Sequence, residues 1–535
     1  MADTKKRQLQ TRIAALDSQT AYTQVLNFEN MMNKRLGYSR LQRYHNARRY
    51  YAGENLPPEN VDTMLQVNFA RPIINKHVSY LFGQWKKNLF SFEVKPKNSI
   101  SNSKKTKSVD TTAITIQQFC QSLYQQNKGD TFFTKIARNT STFGDAIIKV
   151  HWNNLQQKIV WQSILPEHFF CRWDPFNPQQ KIEVIVQHQL PRGMCEQIYR
   201  TQGDLDVAIW NGITLEYGFA TVWERWTPME YQLWVDNVQV KRGPNPYCTV
   251  VNGEMIPGII PFVHIPNMEM DGEFYGYSDF EPAEMLQDEY NRRISDMGDI
   301  INNHAHPIVL LHGFKGDIPD LPVGPDALWP MPNEGDNAEY LEWKGQNTAT
   351  QEYLETLKNL IFMDSAMTEV AFGEHKGTQR SGVSLSNQML PVIERANEKR
   401  TIWNERIPEL ILYSAWVYQS MQQLMINQEL PVLPFELADL TDNYDLEIFW
   451  FPMLPKDQMV RIQENVTLRT NFLRSIRESL IDLGETDPDN ARDEIIADIK
   501  ELAKYGVQMQ LGGKNTPGQG GNSQTDNSTD AKESK

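Results

Sequence analysis

The stretch from Tyr275 to Pro307, YGYSDFEPAEMLQDEYNRRISDMGDIINNHAHP, decides the fold. Leu286, Tyr290, Ile294, Met297, Ile301 and His304 recur at steps of three and four, and Glu284, Asp288, Arg292, Ser295, Asp299 and Asn302 repeat likewise on another face. This spacing predicts a two-faced helix of about 26 residues, ~40 Å long at roughly 1.5 Å per residue. Ser278 with Glu281 reads as a capping box, and Pro282 is tolerated within the first turn. Asp288 and Arg292 read as an ordinary i,i+4 pair on a solvated face.

Downstream, IVLLHGFKGD (308–317) and ALWPMPNEGDNAEYLEWKG (327–345) read as short strands and turns, and a second capped helix starts at Thr348 with Gln351. Helix, small β insertion, helix is the pattern, with the two helices antiparallel and the insertion at their far tip. The loop FGEHKGTQRSG (372–382) follows, with three glycines. Residues 383–427 then read as one long apolar-striped helix kinked at Pro391 and Pro408. The strand-like LEIFWF (446–451) precedes a helical region over 456–506, with Ile462, Val466, Leu473, Ile476, Leu480 and Ile499 among its apolar stripes. The tail from Gly512 is Gly, Asn, Ser and Thr, a composition expected to be disordered.

Upstream, Ile73, Ile74, His77, Val78, Leu81 and Phe82 have a helical period closed by Gly83. The chain before Gly53 reads as a surface helix and a turn, and residues 98–110 as a surface loop. Between about 143 and 265 the texture is β-rich, with GDAIIKVHW (144–152), QKIVWQSI (157–164), KIEVIVQHQL (181–190) and TVWERW (221–226). The prolines of IPGIIPFVHIPN (256–267) forbid a central strand but permit an edge strand. The fold class expected is α+β.

The whole chain has 535 residues, enough for more than one structural unit. Its 53 Lys and Arg against 67 Asp and Glu give a formal charge of -14, which argues against gripping nucleic acid over the whole surface. Four dispersed cysteines, Cys120, Cys171, Cys195 and Cys248, form no zinc pattern or disulfide framework, so a reducing compartment is expected. No window is apolar enough for a membrane helix, and Met1 to Gln10 carries no apolar signal core, so a cytosolic protein without membrane partners is expected.

A search for catalytic chemistry turns up little. In the glycine-rich loop Lys376 precedes Gly377 and Thr378, the wrong spacing for a P-loop. His304, His306 and His312 invite a divalent metal, but no carboxylate or cysteine is placed to complete the set. There is no Gly-x-Ser-x-Gly elbow and no His-Glu-x-x-His. No enzyme and no cofactor are expected. The basic candidates for nucleic acid are Lys376 and Arg380 on the loop, Arg292 and Arg293 on the long helix, and Lys315 and Lys344 in or beside the insertion. Each also reads as a solvated cation balancing neighbouring acids.

The order of elements resembles the portal proteins of tailed bacteriophages. The likeness is carried by Tyr50, Tyr51 and Gly53; Asn68 with SYLFG (79–83); FGDA (143–146); IPFVHIPN (260–267); Gly276 to Asp296; RSGVSL (380–385); and FPMLPKD (451–457). It extends from about residue 40 to 505.

The resemblance implies a ring, typically of twelve subunits, around a DNA channel at one capsid vertex, assembled in the host cytoplasm. On that pattern 1–265 is arm and wing, 266–304 the first stem helix, 305–347 the clip, and 348–371 the second stem helix. Residues 372–384 are the tunnel loop, 385–455 the long helix and return strand, 456–511 the crown, and 512–535 the tail. Lys376, Arg380, Arg292 and Arg293 are then channel candidates, and Lys315, Trp329, Trp343 and Lys344 partner-docking candidates on the clip. The implied partners are further copies of the chain, duplex DNA in transit, the terminase large subunit, major capsid and scaffolding proteins, and a head-completion or tail adaptor protein.

An acidic ring suits a conduit, because each phosphate neutralised by Lys or Arg adds affinity and slows movement. The abundant Trp and Tyr are expected at subunit interfaces. Two alternatives stand beside this reading: a metal-dependent DNA-processing enzyme built on the histidines, and a capsid or baseplate component without a channel.

Overall fold

The computed structural model describes residues 20, 22–28, 39–54, 65–83, 88–97, 110–154, 156–201, 218–236, 238–251, 254–305, 309–312, 335, 337–340, 348–374, 384, 387–424, 433–453, 458–471, 473–483 and 488–504. The chain divides into two units, Met1–Met453 and Leu454–Lys535.

The first unit mixes helices with small antiparallel sheets. Helix α1 (Arg40–Ala52) is capped by Ser39, which accepts from the Gln42 N–H at 3.3 Å, and stops at Gly53 with φ +80°. Its sequence suggests a surface helix, yet Arg40, Arg43, Tyr44 and Ala47 are buried. Burial is tolerated because the Arg40 guanidinium donates to the carbonyls of Pro166 and Phe169 at 2.8 and 2.9 Å and lies 4.3 Å from the Tyr275 ring centre. Helix α2 (Ala70–Phe82) buries the six positions its period marks, and Gly83 ends it. Strand β1 (Phe90–Pro96) and helices α3 (Thr111–Gln126, capped by Asp110) and α4 (Gly129–Phe143) follow.

The β-rich region forms two main sheets. Strands β2 (Asp145–Asn153) and β3 (Lys158–Ile164) begin the first; β4 (Phe169–Asp174) and β5 (Asn177–Pro191) begin the second. After helix α5 (Arg192–Thr201), β6 (Phe219–Trp226), β7 (Glu230–Val235) and β8 (Val238–Pro244) complete an antiparallel five-stranded meander in the order β4-β5-β6-β7-β8. A short hairpin, β9 (Thr249–Val251) with β10 (Glu254–Ile256), leads to β11 (Phe262–Pro266). That strand lies at the edge of the order β11-β2-β3, a position that tolerates its one proline, Pro266.

The decisive stretch forms a 3-10 turn, Glu281–Ala283, and then helix α6 (Glu284–Ala305). The capping box expected at Ser278 and Glu281 does not form. Ser278 donates to the Ser141 carbonyl and accepts from the Phe280 N–H, while Glu281 lies 3.6 Å from Arg43. Strands β12 (Val309–His312) and β13 (Asn337–Tyr340) pair antiparallel, and helix α7 (Thr348–Asp364) packs against α6. Leu354, Leu357 and Ile361 are the buried stripe of α7.

Helix α8 (Leu390–Leu424) contains Pro408, but Pro391 is its second residue. There the missing N–H has no partner to lose, so Pro391 opens the helix instead of kinking it. Strand β14 (Tyr444–Trp450) closes the unit by pairing antiparallel with β1.

Aromatic residues expected at interfaces largely fill this unit's own core. Trp173, Trp403, Trp161 and Trp226 are all at most 4% exposed. The core joins α2, α3, α4, α8 and the three-stranded sheet.

In the second unit, helices α9 (Gln458–Thr470), α10 (Ile476–Leu483) and α11 (Pro488–Lys504) follow the predicted order. Ser475 and Glu478 cap α10 reciprocally at 3.1 and 3.0 Å. Among the described residues its apolar stripes are only partly covered: Ile476, Leu480, Ile495 and Ile496 are half-buried, while Val466 is 58% and Leu473 73% exposed, and Ile499 is exposed too.

Candidate functional site at the root of helix α6

The root of α6 is held by charged and polar side chains from segments far apart in the chain. Asp145, the first residue of β2, is fully buried. Its carboxylate accepts from the Tyr44 hydroxyl at 2.6 Å and the Gly276 N–H at 2.8 Å, and lies 2.7 Å from Nε2 of His264. Since a carboxylate only accepts, His264 Nε2 carries the hydrogen. Burial lowers the His264 pKa against the opposing pull of Asp145, and burial together with Asp145 raises that of Tyr44. Gly144 has φ +86°, and a Cβ there would meet the Gly276 carbonyl oxygen at 2.7 Å.

A second knot lies beside it. Asp279 pairs with Lys399, accepts from Arg395 Nη2 at 3.0 Å, and accepts from Asn267 Nδ2 at 2.8 Å. Burial pushes the Asp279 carboxyl upward, but Lys399, His77 and Arg395 outweigh it and hold the acid well below the usual range. Lys399 also donates to Ser141 Oγ at 3.0 Å, so α8, α4 and the segment leading into α6 share one ionic centre.

Along α6, Gln287, Asn291 and Ser295 form a buried polar stripe at i, i+4 and i+8. It grips the backbone of 65–69. Gln287 Oε1 accepts from the Phe69 N–H at 3.0 Å while its Nε2 donates to the Val67 carbonyl at 2.7 Å. Asn291 accepts from the Val67 N–H at 3.0 Å, and Ser295 Oγ from the Leu65 N–H at 3.1 Å. Ser295 is therefore not on a solvated face as its sequence position suggests. It is this polar stripe and not the apolar one that is buried, Leu286, Tyr290, Ile294 and Met297 being half-buried and Ile301 exposed; a polar side chain that binds backbone looks in sequence like one that binds water.

Arg292 and Arg293 are exposed on the same helix. Arg292 donates to Glu289 at 2.8 Å; Arg293 donates to Glu289 at 2.7 Å and to Asp296 at 3.3 Å. The expected Asp288–Arg292 pair is replaced, since Asp288 accepts from the Tyr50 hydroxyl. Lys376, Arg380, Lys315, Trp329, Trp343, Lys344 and His306 lie outside the described residues, as does the His304 side chain. His312 Nε2 lies 3.0 Å from Glu339, and both are exposed. Among the described residues no group of three or more His, Cys, Asp or Glu is placed to hold a metal ion, and no helix is long and apolar enough to cross a membrane.

Several of the stretches that carried the resemblance thus touch one another where they are described. Asn68 donates to the Tyr51 carbonyl; Asp145 joins His264 to Gly276; Asn267 joins Asp279. Arg400 bridges the Leu81 and Phe451 carbonyls at 2.8 and 2.9 Å, beside Gly83, where a Cβ would meet the Pro452 oxygen at 2.6 Å. Buried polar groups at this junction fasten one element to another.

The chain belongs to the phage portal proteins. The family model described as "Phage portal protein, SPP1 Gp6-like" matches residues 38–457, which bears out the resemblance and associates the chain with the phage capsid. The family is structural rather than catalytic. No curated protein matches the chain.

Proposed function

We propose that copies of this chain close into a ring, typically of twelve, around a channel at one capsid vertex. The ring docks the terminase large subunit while DNA enters, contacts major capsid and scaffolding proteins, and later seats a head-completion or tail adaptor protein through which DNA leaves. Membership of the portal family carries this reading. Helices α6 and α7, with the β12–β13 hairpin between them in the chain, form the stem and the base of the clip.

The exposed arginines of α6 suit passage better than grip. Arg292 and Arg293 are both engaged by Glu289, and Asp296 adds a further acid, so this stretch offers phosphates little net positive charge. Contacts from Lys376 and Arg380 on the loop 372–384 are to the DNA backbone and impose no sequence preference. Lys315, Trp329, Trp343 and Lys344 belong to the partner-facing clip.

Packaging by particles assembled with a chain lacking residues 373–380 tests the channel role. Normal ring assembly with impaired packaging is the expected result. Failure of rings to form would place the loop in assembly instead.

A further inference from the structure

The turn between β4 and β5 holds a phenylalanine out in water. Pro175 and Phe176 connect Asp174 to its strand partner Asn177, and Phe176 is 98% exposed. The turn is tied down on both sides. The Phe176 N–H donates to Asp174 Oδ1 at 2.9 Å, and Trp173, fully buried at the base, stacks on Phe274. Gln179 Nε2 donates to Glu269 Oε1 at 3.3 Å, which joins the turn to the loop 267–274. That loop adds Met270, 53% exposed, and two exposed carboxylates, Glu269, which Arg406 holds at 2.9 Å, and Asp271. Turn and loop together make an acidic knob with an apolar tip. An aromatic side chain already fixed in place is suited to anchor an interface, since little freedom is left to lose on binding.

A cleft with the opposite character lies at the other end of β5. It has a volume of about 890 Å³, between the three-stranded sheet and the five-stranded one. Phe132, Val160, Leu165, Leu190, Ile198 and Met421 line it, and all six are at least partly open. Lys135 and Lys241 are exposed in its lining. Among the described residues its one carboxylate is Glu224, which is buried, paired with Lys149 and bonded by Trp226 Nε1 at 2.9 Å. The cleft is therefore apolar with a basic rim, in a chain whose formal charge is -14.

Knob and cleft cannot meet within one chain. Strand β5 keeps unbroken register with its neighbours from Glu183 to Leu190, and those seven steps at ~3.3 Å each span about 23 Å. Phe176 lies beyond one end of that span, and Leu190, in the cleft, is at the other. Complementary surfaces at two ends of a subunit are what a head-to-tail contact between copies requires.

We propose that the knob of one copy enters the cleft of the next, with Phe176 against the apolar lining and Glu269 and Asp271 facing Lys135 and Lys241. The occupant is a second copy because charge and apolar character match across the two surfaces, and acidic chains that otherwise repel are drawn together there. This contact rests on the ring reading and specifies one of the interfaces that would close the ring.

The test is cross-linking of full-length chains with a short bis-maleimide reagent, read by denaturing electrophoresis, with the parent as control for its own cysteines. Phe176→Cys and Lys135→Cys both lie at exposed positions. Mixed together, the two variants are expected to give covalent dimers well above either alone, and a chain carrying both substitutions a ladder of higher multimers. Phe176→Asp is expected to weaken self-association about tenfold or more in sedimentation, with unchanged far-ultraviolet circular dichroism. Dimers from Phe176→Cys alone would mean that tip meets tip and would overturn the proposal. A parent that assembles while the mixture gives no cross-link, or while Phe176→Asp assembles equally well, overturns this contact and leaves the ring standing. A parent that sediments as a single subunit at every concentration overturns both.

Discussion

The Tyr50 hydroxyl donates to Asp288 at 2.7 Å, joining α1 to the first turns of α6. Burial first, and then Asp288, raises the Tyr50 pKa, so the phenol remains a donor throughout the physiological range. This bond is one of several long-range ties at the start of α6.

The polar stripe on α6 is the most extended of them. Gln287→Ala leaves the Phe69 N–H and the Val67 carbonyl without their side-chain partner, and each unsatisfied buried group costs about 1–3 kcal/mol. A clear drop in melting temperature is expected by differential scanning fluorimetry. Met285→Ala, at an 84% exposed position on the same helix, should change it little. Equal effects would mean that the stripe contributes nothing specific.

Breaking the ionic centre should cost more. Asp279→Asn leaves Lys399 buried beside Arg395 without its counter-charge, and removing one member of a buried pair costs about 3–5 kcal/mol. Adding Lys399→Met should recover part of that loss in chemical denaturation, because it removes the stranded charge. No recovery would argue that the two residues act separately.

Glu284 sets a pH dependence. Burial, with Glu281 and Asp288 nearby, raises its carboxyl to about 8. The folded state therefore binds a proton that the unfolded state has released, so this contribution to stability is fully present below the usual carboxylate range and is lost as pH rises through about 8. Arg43 opposes the shift without cancelling it. Glu284→Gln should flatten the fall in melting temperature between pH 5 and pH 9, in about that window, relative to the parent. An unchanged slope would place the proton elsewhere.

Glu289 restrains two arginines at once. If α6 lines a DNA path, Glu289→Gln should strengthen retention of duplex DNA by assembled rings and steepen its salt dependence by about one to two counterions, one for each arginine released. Electrophoretic mobility shifts over a salt series would show it. Unchanged retention would remove Arg292 and Arg293 from the path.

Much of the architecture was legible from periodicity. Helix α2 with its Gly83 stop, the four long strand runs, the edge position of Phe262–Pro266 and the helix-hairpin-helix order all follow from spacing and proline chemistry. The buried polar contacts were not. Arg40, Gln287, Ser295 and Asp279 satisfy partners more than 100 residues away, and nothing local distinguishes such residues from solvated ones. The family stretches did mark the place, because Gly144, Asp145, His264, Asn267 and Gly276 fall within them and meet at the root. Their order in the chain gave no hint that they would touch.

The most direct test of the central claim is negative-stain electron microscopy of the purified full-length protein. Top views showing a closed ring with a central hole wide enough for B-form DNA, and side views with a narrower stem, are the predicted result. A population of single subunits, or closed assemblies with no bore, would contradict it.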